Sequence, residues 1–186
     1  MITRREFVIG IAGVTVAGAF ADQKNNEKLV APCGMYCGAC SNYIATQQKD
    51  DKKIQALMKL YGKSNMPVED MLCDGCIGGG RVAVHCRKCE ILDCASKKAP
   101  KSKLCSDCSD FACDRITKFN NDGIPHHAEA LSNLRQVRSM GLKKWAKLEE
   151  EKWSCPKCKS PIAWFDPACP KCGEKRSDRL FPLKKA

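Results

Sequence analysis

Cysteine spacing constrains the fold of this chain more than any other feature, because 15 of its 186 residues are cysteine. Near the C-terminus, two C-x2-C pairs are separated by ten residues, at Cys155, Cys158, Cys169 and Cys172. Two such turns can place four sulfurs around one ion and complete a tetrahedron. Segment 153–173 is therefore predicted to be a zinc ribbon. Rubredoxin-type iron sites use similar turns, so the spacing leaves the identity of the metal open.

Eleven further cysteines lie upstream of the ribbon, and together with His85 they would supply ligands for three four-coordinate sites. These candidates are Cys33, Cys37, Cys40, Cys73, Cys76, Cys86, Cys89, Cys94, Cys105, Cys108 and Cys113. The triplet at 105, 108 and 113 repeats the spacing of the triplet at 86, 89 and 94. His85 has a second interpretation, as an ordinary loop histidine. The expected cofactor is Zn²⁺, and an iron–sulfur cluster is the alternative.

Disulfides are a weaker explanation of these thiols than metal ions. The number of cysteines is odd, and a disulfide within a C-x2-C pair would contribute only about 2 kcal/mol through loop closure. A structural zinc ion contributes roughly 10–16 kcal/mol of apparent binding free energy. Long-range disulfides between the turns remain an alternative. Two enzymatic explanations are also weak. A thioredoxin-like redox pair at 37–40 or 73–76 would need a strand–helix–strand frame, and none surrounds either pair. A radical S-adenosylmethionine enzyme would need a large barrel, and the chain is too short to form one.

Composition also indicates that cross-links or metals replace part of the hydrophobic core. Leu, Ile, Val and Phe make up about 17% of the residues after Ala21, a content at which a highly charged chain usually stays disordered. The formal net charge of +11 would ordinarily suggest nucleic acid or acidic lipid as a partner. Metal sites deprotonate thiols, however. With 15 thiolates around four divalent ions, the net charge of the residues after Ala21 would be only about +3.

The N-terminus resembles a twin-arginine export signal. Thr3-Arg4-Arg5-Glu6-Phe7 fits the motif, and an apolar run over 8–20 follows it. This run is shorter than the roughly 20 residues of a membrane-spanning helix, and a small-x-small cleavage pattern ends at Ala21. We therefore expect export by the twin-arginine translocase, a periplasmic or otherwise extracytoplasmic location, and no stable membrane span in the mature chain. An uncleaved anchor is the alternative. Export also makes nucleic acid an unexpected partner.

The predicted fold class is α+β, mainly helical: a small cysteine-rich, metal-stapled domain followed by a zinc ribbon. The predicted divisions are a signal peptide at 1–21, a linker at 22–30, the cysteine-rich domain at 31–152, the ribbon at 153–173 and a basic tail at 174–186. Apolar periodicity predicts helices over 41–61 and 110–119, and over 127–153 with a break at Gly141. A short strand is predicted at 81–84, and a turn or short helix at 66–72.

Residues 33–152 resemble the cysteine-rich family known as domain of unknown function 3795. The resemblance rests on CGMYCGAC at 33–40, YIAT at 43–46, CDGC at 73–76 and HCRKCEILDCA at 85–95. The cysteine triplet at 105, 108 and 113 and NLR at 133–135 also fit, and a ribbon beginning WSCPKC at 153 closes a subset of the family. The resemblance implies a metal-binding protein with no assigned reaction. An export leader is not part of the family pattern.

No catalytic constellation is evident in the sequence. There is no Ser-His-Asp arrangement, and the glycines at 78–80 lack the helix that follows a phosphate-binding loop. His85 and His126 have no evident acid–base partners. We therefore expect a non-catalytic zinc-binding or interaction module, and the alternative is an iron–sulfur electron-transfer or redox partner protein.

Overall fold

The computed structural model describes residues 26–183, so the predicted leader at 1–21 lies outside the described residues. Between these limits the chain is mostly helical. The α-helices are α1 Ser41–Gln48, α2 Asp51–Leu60, α3 Val84–Arg87, α4 Glu90–Lys98, α5 Asp114–Asn120, α6 Ala130–Met140 and α7 Leu142–Lys152. Short 3-10 helices are Asn26–Leu29, Cys37–Ala39, Val68–Met71, Cys105–Asp107 and His127–Glu129.

The helical part of the predicted class is confirmed, but its β component is not. Within residues 26–183 the only β pairing consists of three isolated bridges: Val30 with Tyr36, Ser154 with Pro161 and Ala168 with Lys175. Each bridge closes a tight turn around cysteines, and such a turn reverses the chain before a ladder can extend. The strand predicted at 81–84 is wrong, because Arg81 closes a loop onto Asp74 and helix α3 begins at Val84.

The helix predicted over 41–61 is divided in two. Lys49 adopts a left-handed conformation with φ 53°, which ends α1. The Asp50 side chain then accepts a hydrogen bond from the Lys53 N–H at 3.0 Å and caps α2. An aspartate in this position is a strong N-terminal cap, so the second helix starts where the sequence offers one.

The break predicted at Gly141 is confirmed, since α6 and α7 flank this residue. Gly141 has φ 84°, a conformation that costs glycine little and lets the chain turn sharply between two helices. The helix predicted over 110–119 begins later, at Asp114, because residues 105–113 form the turns that carry three cysteines. No helix within 26–183 combines the length and the apolar character needed to cross a membrane.

Two buried tryptophans compensate for the low aliphatic content. Trp145 and Trp153 lie in the largest core cluster with Val30, Leu104 and Ile162. The ribbon cysteines Cys155 and Cys169 are buried in the same cluster. The C-terminal turns therefore pack directly against α7 and the N-terminal segment, and two further clusters lie beneath α6 and α2.

Helix α6 docks closely onto the first cysteine loop, and Gly34 makes this approach feasible. A Cβ at Gly34 would lie 2.8 Å from Leu134 Cγ and 2.9 Å from the Ala130 carbonyl oxygen, and φ there is +83°. The Asn133 side-chain amide donates to the Gly34 carbonyl at 2.9 Å. This contact holds the loop from Cys33 to Cys37 against the helix that organises the rest of the domain.

Candidate metal centre

The two C-P-K-C turns of the ribbon have the same backbone geometry. In each, the first cysteine, Cys155 or Cys169, donates its N–H to the carbonyl five residues later, at 2.9 and 2.8 Å. Its carbonyl accepts from the N–H four residues later, at 3.0 and 2.9 Å. That fourth residue is left-handed in both turns: Lys159 has φ 60° and Gly173 has φ 72°. The matching hydrogen bonds aim two thiols from each turn toward a common point.

The four ribbon sulfurs converge on that point. All lie within 4.8 Å of one another, with 3.6 Å between Cys155 and Cys172 and 3.5 Å between Cys158 and Cys169. A tetrahedral ion with metal–sulfur bonds of about 2.3 Å has sulfur–sulfur edges of about 3.8 Å. The sulfur–sulfur distances of the quartet are thus close to those of four thiolates around a single ion. Cys155 and Cys169 are buried, whereas Cys158 and Cys172 lie nearer to solvent.

The ribbon thiols differ in acidity. Hydrogen bonds with Ser160, together with contacts with Cys172 and Cys169, lower the pKa of Cys158 to about 6. The Glu174 N–H lowers the pKa of Cys172, but desolvation and the neighbouring thiols outweigh it and raise that pKa to about 12. Cys158 is therefore the more acidic of these two thiols. A thiolate that exists at neutral pH is the form that binds a metal ion.

Backbone contacts fix the ribbon to the first cysteine loop. The Trp164 N–H donates to the Ala39 carbonyl at 2.9 Å, and the Ile162 N–H donates to the Trp153 carbonyl at 2.8 Å. The buried Trp153 indole donates to the Glu149 carboxylate at 3.0 Å. Burial raises the pKa of Glu149, whereas Lys152 and this indole bond lower it. These bonds place the quartet beside the Cys37–Ala39 turn.

Three upstream C-x2-C pairs also share one backbone turn. The N–H of the second cysteine donates to the carbonyl of the first at 2.9, 3.1 and 3.2 Å in the pairs at 37–40, 86–89 and 105–108. Helices begin directly after the thiols at Cys40, Cys89 and Cys113. A helix N-terminus carries partial positive charge, which favours a thiolate there. The repeated turn explains why the triplets resemble each other in sequence.

The first upstream set is Cys40, Cys73 and Cys86. Burial, with a smaller contribution from the nearby Cys73 and Cys86 thiols, raises the pKa of Cys40 to about 12. The His85 ring lies 4.9 Å from the Tyr61 ring. Burial raises the pKa of Tyr61, and the nearby Cys40 and Cys86 thiols also raise it. Burial and then Lys63 lower the pKa of His85, so it is neutral at pH 7. His85 thus lies at the edge of this set.

The second upstream set is Cys33, Cys37, Cys76 and Cys89, and it adjoins the first, because Cys76 and Cys89 also raise the pKa of Cys86. Contact with the Cys37 thiol raises the pKa of Cys76 far above its ordinary value, and burial raises it further. Burial also raises the pKa of Cys33, followed by Cys76 and Cys89. The remaining thiols, Cys94, Cys105, Cys108 and Cys113, line a separate cavity. In the described part of the chain, the ribbon quartet is the one group of three or more ligand atoms that all lie within 4.8 Å.

Two charged residues that the sequence did not single out hold the cysteine turns in place. Arg138 of α6 donates to the Ser106 carbonyl, and to the Cys108 carbonyl at 2.8 Å. Arg81 forms a two-point contact with Asp74 at 2.8 and 3.0 Å, inside the loop that follows Cys73. No local pattern marks Arg138, because its partners lie 30 residues or more away. The available signal for the second contact was the placement of opposite charges, Asp74 and Arg81, on either side of a loop with four glycines.

Comparison with known proteins supports the resemblance over part of its length. Residues 29–118 match the family model described as Protein of unknown function (DUF3795). This stretch contains all eleven upstream cysteines and His85, and it ends before the ribbon. The comparison with curated proteins found no match, and the comparison with solved structures also found none.

Proposed function

We propose that the protein is an exported, non-catalytic metal-binding module whose ribbon quartet holds one Zn²⁺ ion. The observation that carries the proposal is the convergence of four thiols, with sulfur–sulfur distances of 3.5 and 3.6 Å. Four-thiolate tetrahedral sites of this size are typical of structural zinc, since all ligand positions are filled by protein and none remains for a substrate. Burial of Cys155 and Cys169 within the main core makes the site part of the fold.

The upstream sets support the view that metal binding extends beyond the ribbon. Four of the eleven upstream thiols line one cavity, and the others lie near enough to perturb one another's pKa values. Uncharged thiols pack only as small apolar groups, whereas thiolates shared by an ion link distant chain segments. This arrangement favours a domain held together by metals, which can serve as a binding surface for a protein partner.

Metal analysis of matched variants tests the ribbon site. Cys158→Ser should lower the zinc content of the purified protein by one ion per chain relative to the wild type, because it removes one of four ligands. Lys157→Ser is the matched control, since it alters the same turn at an exposed position that offers no thiol. Equal zinc content in both variants would contradict zinc binding by the quartet. Iron in place of zinc in the wild type would contradict the identity of the ion.

Export is proposed from the leader, which lies outside the described residues. Replacing Arg4 and Arg5 by lysines should retain the protein in the cytosol, because the translocase recognises the arginine pair. Glu6→Gln changes the variable position of the motif and should leave export intact. Cell fractionation with an antibody against the mature chain measures both variants. Undiminished export of the double-lysine variant would refute the assignment of the twin-arginine translocase as a partner.

A further inference from the structure

Four thiols line a cavity of about 270 Å³ between α4, the 3-10 turn Cys105–Asp107 and the start of α5. They are Cys94 of α4, Cys105 and Cys108 of the 3-10 turn, and Cys113 at the start of α5. The Cys105 N–H donates to the Pro32 carbonyl at 3.0 Å, and Arg138 holds the Cys108 carbonyl. Backbone contacts therefore fix the turn that carries two of the four ligands, as a preorganised site requires.

We propose that this cavity binds a [4Fe–4S] cluster through Cys94, Cys105, Cys108 and Cys113. The inference deepens the proposed metal-binding function by assigning a chemically different occupant to a second site. Iron–sulfur clusters of this kind are held by four cysteine thiolates, one on each iron. The site requires four separated thiolates, a space between them and a low-polarity wall, and the cavity offers all three.

The spacing of the thiols distinguishes this site from the ribbon. Among residues 26–183, sulfur–sulfur hydrogen-bond contacts of 3.5 and 3.6 Å occur within the ribbon, and none joins the cavity thiols to one another. The cavity thiols also do not form a group of three within 4.8 Å. A single ion, or an iron that binds two of the cysteines, needs close pairs of sulfurs. Thiols spread around an open space instead fit a cluster that presents a separate iron to each one.

The walls of the cavity suit a cluster that must be shielded from water. Ile91 and Ile116 are buried and line it, together with Phe111. The Arg138 guanidinium lies 4.7 Å from the centre of the Phe111 ring and helps to hold this residue in the wall. Hydrophobic surroundings control solvent access to a metal–sulfur site and tune its reduction potential.

Charged residues of both signs line the cavity, since Asp110 and Asp114 lie there beside Lys98 and Arg115. Lys98 and Arg115 line the cavity, and each also pairs with a carboxylate: Lys98 with Asp110, and Arg115 with Glu90 at 3.6 Å. Four thiolates without a metal would repel each other, so binding of a cationic cluster core is the event that stabilises their charged form.

Anaerobic reconstitution of the full chain with ferrous iron, ferric iron and sulfide, in the ratio 1:1:2, tests the proposal. This mixture supplies the iron oxidation states of a [4Fe–4S]²⁺ core, so no further oxidant is needed, and the four thiol protons pass to the buffer. We expect about four iron and about four acid-labile sulfide per chain, with the broad visible absorption of sulfur-to-iron charge transfer. Binding of zinc alone, or of iron without sulfide, would overturn the proposal.

Two variants locate the cluster independently of the ribbon. Cys113→Ala should abolish iron and sulfide uptake and keep the ribbon zinc, and Cys113 makes no side-chain capping bond whose loss would unfold α5. Cys158→Ser should lose zinc and keep iron and sulfide, so failure of the ribbon assignment is distinguishable from failure of the cluster. Undiminished iron and sulfide in Cys113→Ala would overturn the cavity assignment.

A measurement on the unmutated chain avoids any dependence on folding of the variants. After reconstitution, the native protein is treated with iodoacetamide, digested, and analysed by mass spectrometry. The four cavity cysteines should be protected in the cluster-loaded protein and alkylated in protein that was never given iron and sulfide. Equal alkylation of these cysteines in both samples would place the cluster elsewhere and refute the proposal.

Discussion

Replacement of His126 by phenylalanine should remove a pH dependence of stability that the fold imposes on this residue. The His126 ring stacks on Trp164, with ring centroids 4.1 Å apart and an interplanar angle of 16°. Its Nδ1 atom is buried without a hydrogen-bond partner. Burial, followed by the effect of the neighbouring His127, lowers the pKa of His126 from 6.5 to about 4, against the opposing effect of Asp122. A phenylalanine retains the ring and has no proton to bind.

The sign and size of the effect follow from this difference in pKa. The unfolded chain protonates His126 near pH 6.5, whereas the folded chain resists protonation until about pH 4. Stability from the neutral ring is therefore complete above pH 6.5 and declines as the pH falls toward 4. For a fully buried ring the loss between pH 7.5 and pH 5.0 would be about 2 kcal/mol. Because the ring is partly exposed, we expect about 1 kcal/mol.

Urea unfolding of the purified wild type and of His126→Phe, at pH 7.5 and pH 5.0, measures the effect. The free energy of unfolding of the wild type should fall by about 1 kcal/mol more than that of the variant over this interval. Acidification also protonates the ribbon thiolates, but it does so in both proteins, and the comparison cancels that contribution. Identical pH dependence in the two proteins would show that His126 titrates normally and would refute the reasoning.

Three further substitutions test contacts that hold the cysteine turns. Lys159→Gly should raise the midpoint of thermal unfolding, since relief of the left-handed backbone at φ 60° stabilises the fold by about 1 kcal/mol; a lower midpoint would contradict this. Trp153→Phe should cost about 1–3 kcal/mol in urea unfolding, because it leaves the buried Glu149 without its indole donor; an unchanged free energy of unfolding would count against that bond. Arg138→Met keeps the apolar stem and should speed alkylation of Cys108 in the metal-free protein, and an unchanged rate would show that the turn needs no anchor.

Local chemistry in the sequence predicted those parts of the fold that depend on neighbouring residues. The ribbon quartet follows from C-x2-C spacing alone, and the division at Gly141 follows from a glycine between two apolar stripes. The break at Lys49 was missed because lysine rarely adopts φ 53°, although Asp50 offered a cap for a second helix.

Distant pairings could not be predicted in the same way. The grouping of Cys94 with the triplet at 105, 108 and 113 depends on how α4 packs beside α5, and spacing along the chain carries no information about it. The contact of Arg138 with the Cys108 turn is equally non-local. Packing of the ribbon against the N-terminal segment depends on Trp153 and Trp164, which the cysteine pattern does not include.

The hydrogen bond from Trp164 to Ala39 has a consequence for the order in which the protein matures on the ribosome. The first cysteine loop is synthesised early, but its partner is made 125 residues later. At about 5–20 residues per second, the loop waits roughly 6–25 s for this contact. During that interval its thiols are accessible to oxidants and to metals that arrive early. A chain that stalls before Trp164 therefore exposes reactive thiols, and completion of translation sets the earliest time at which the fold can close.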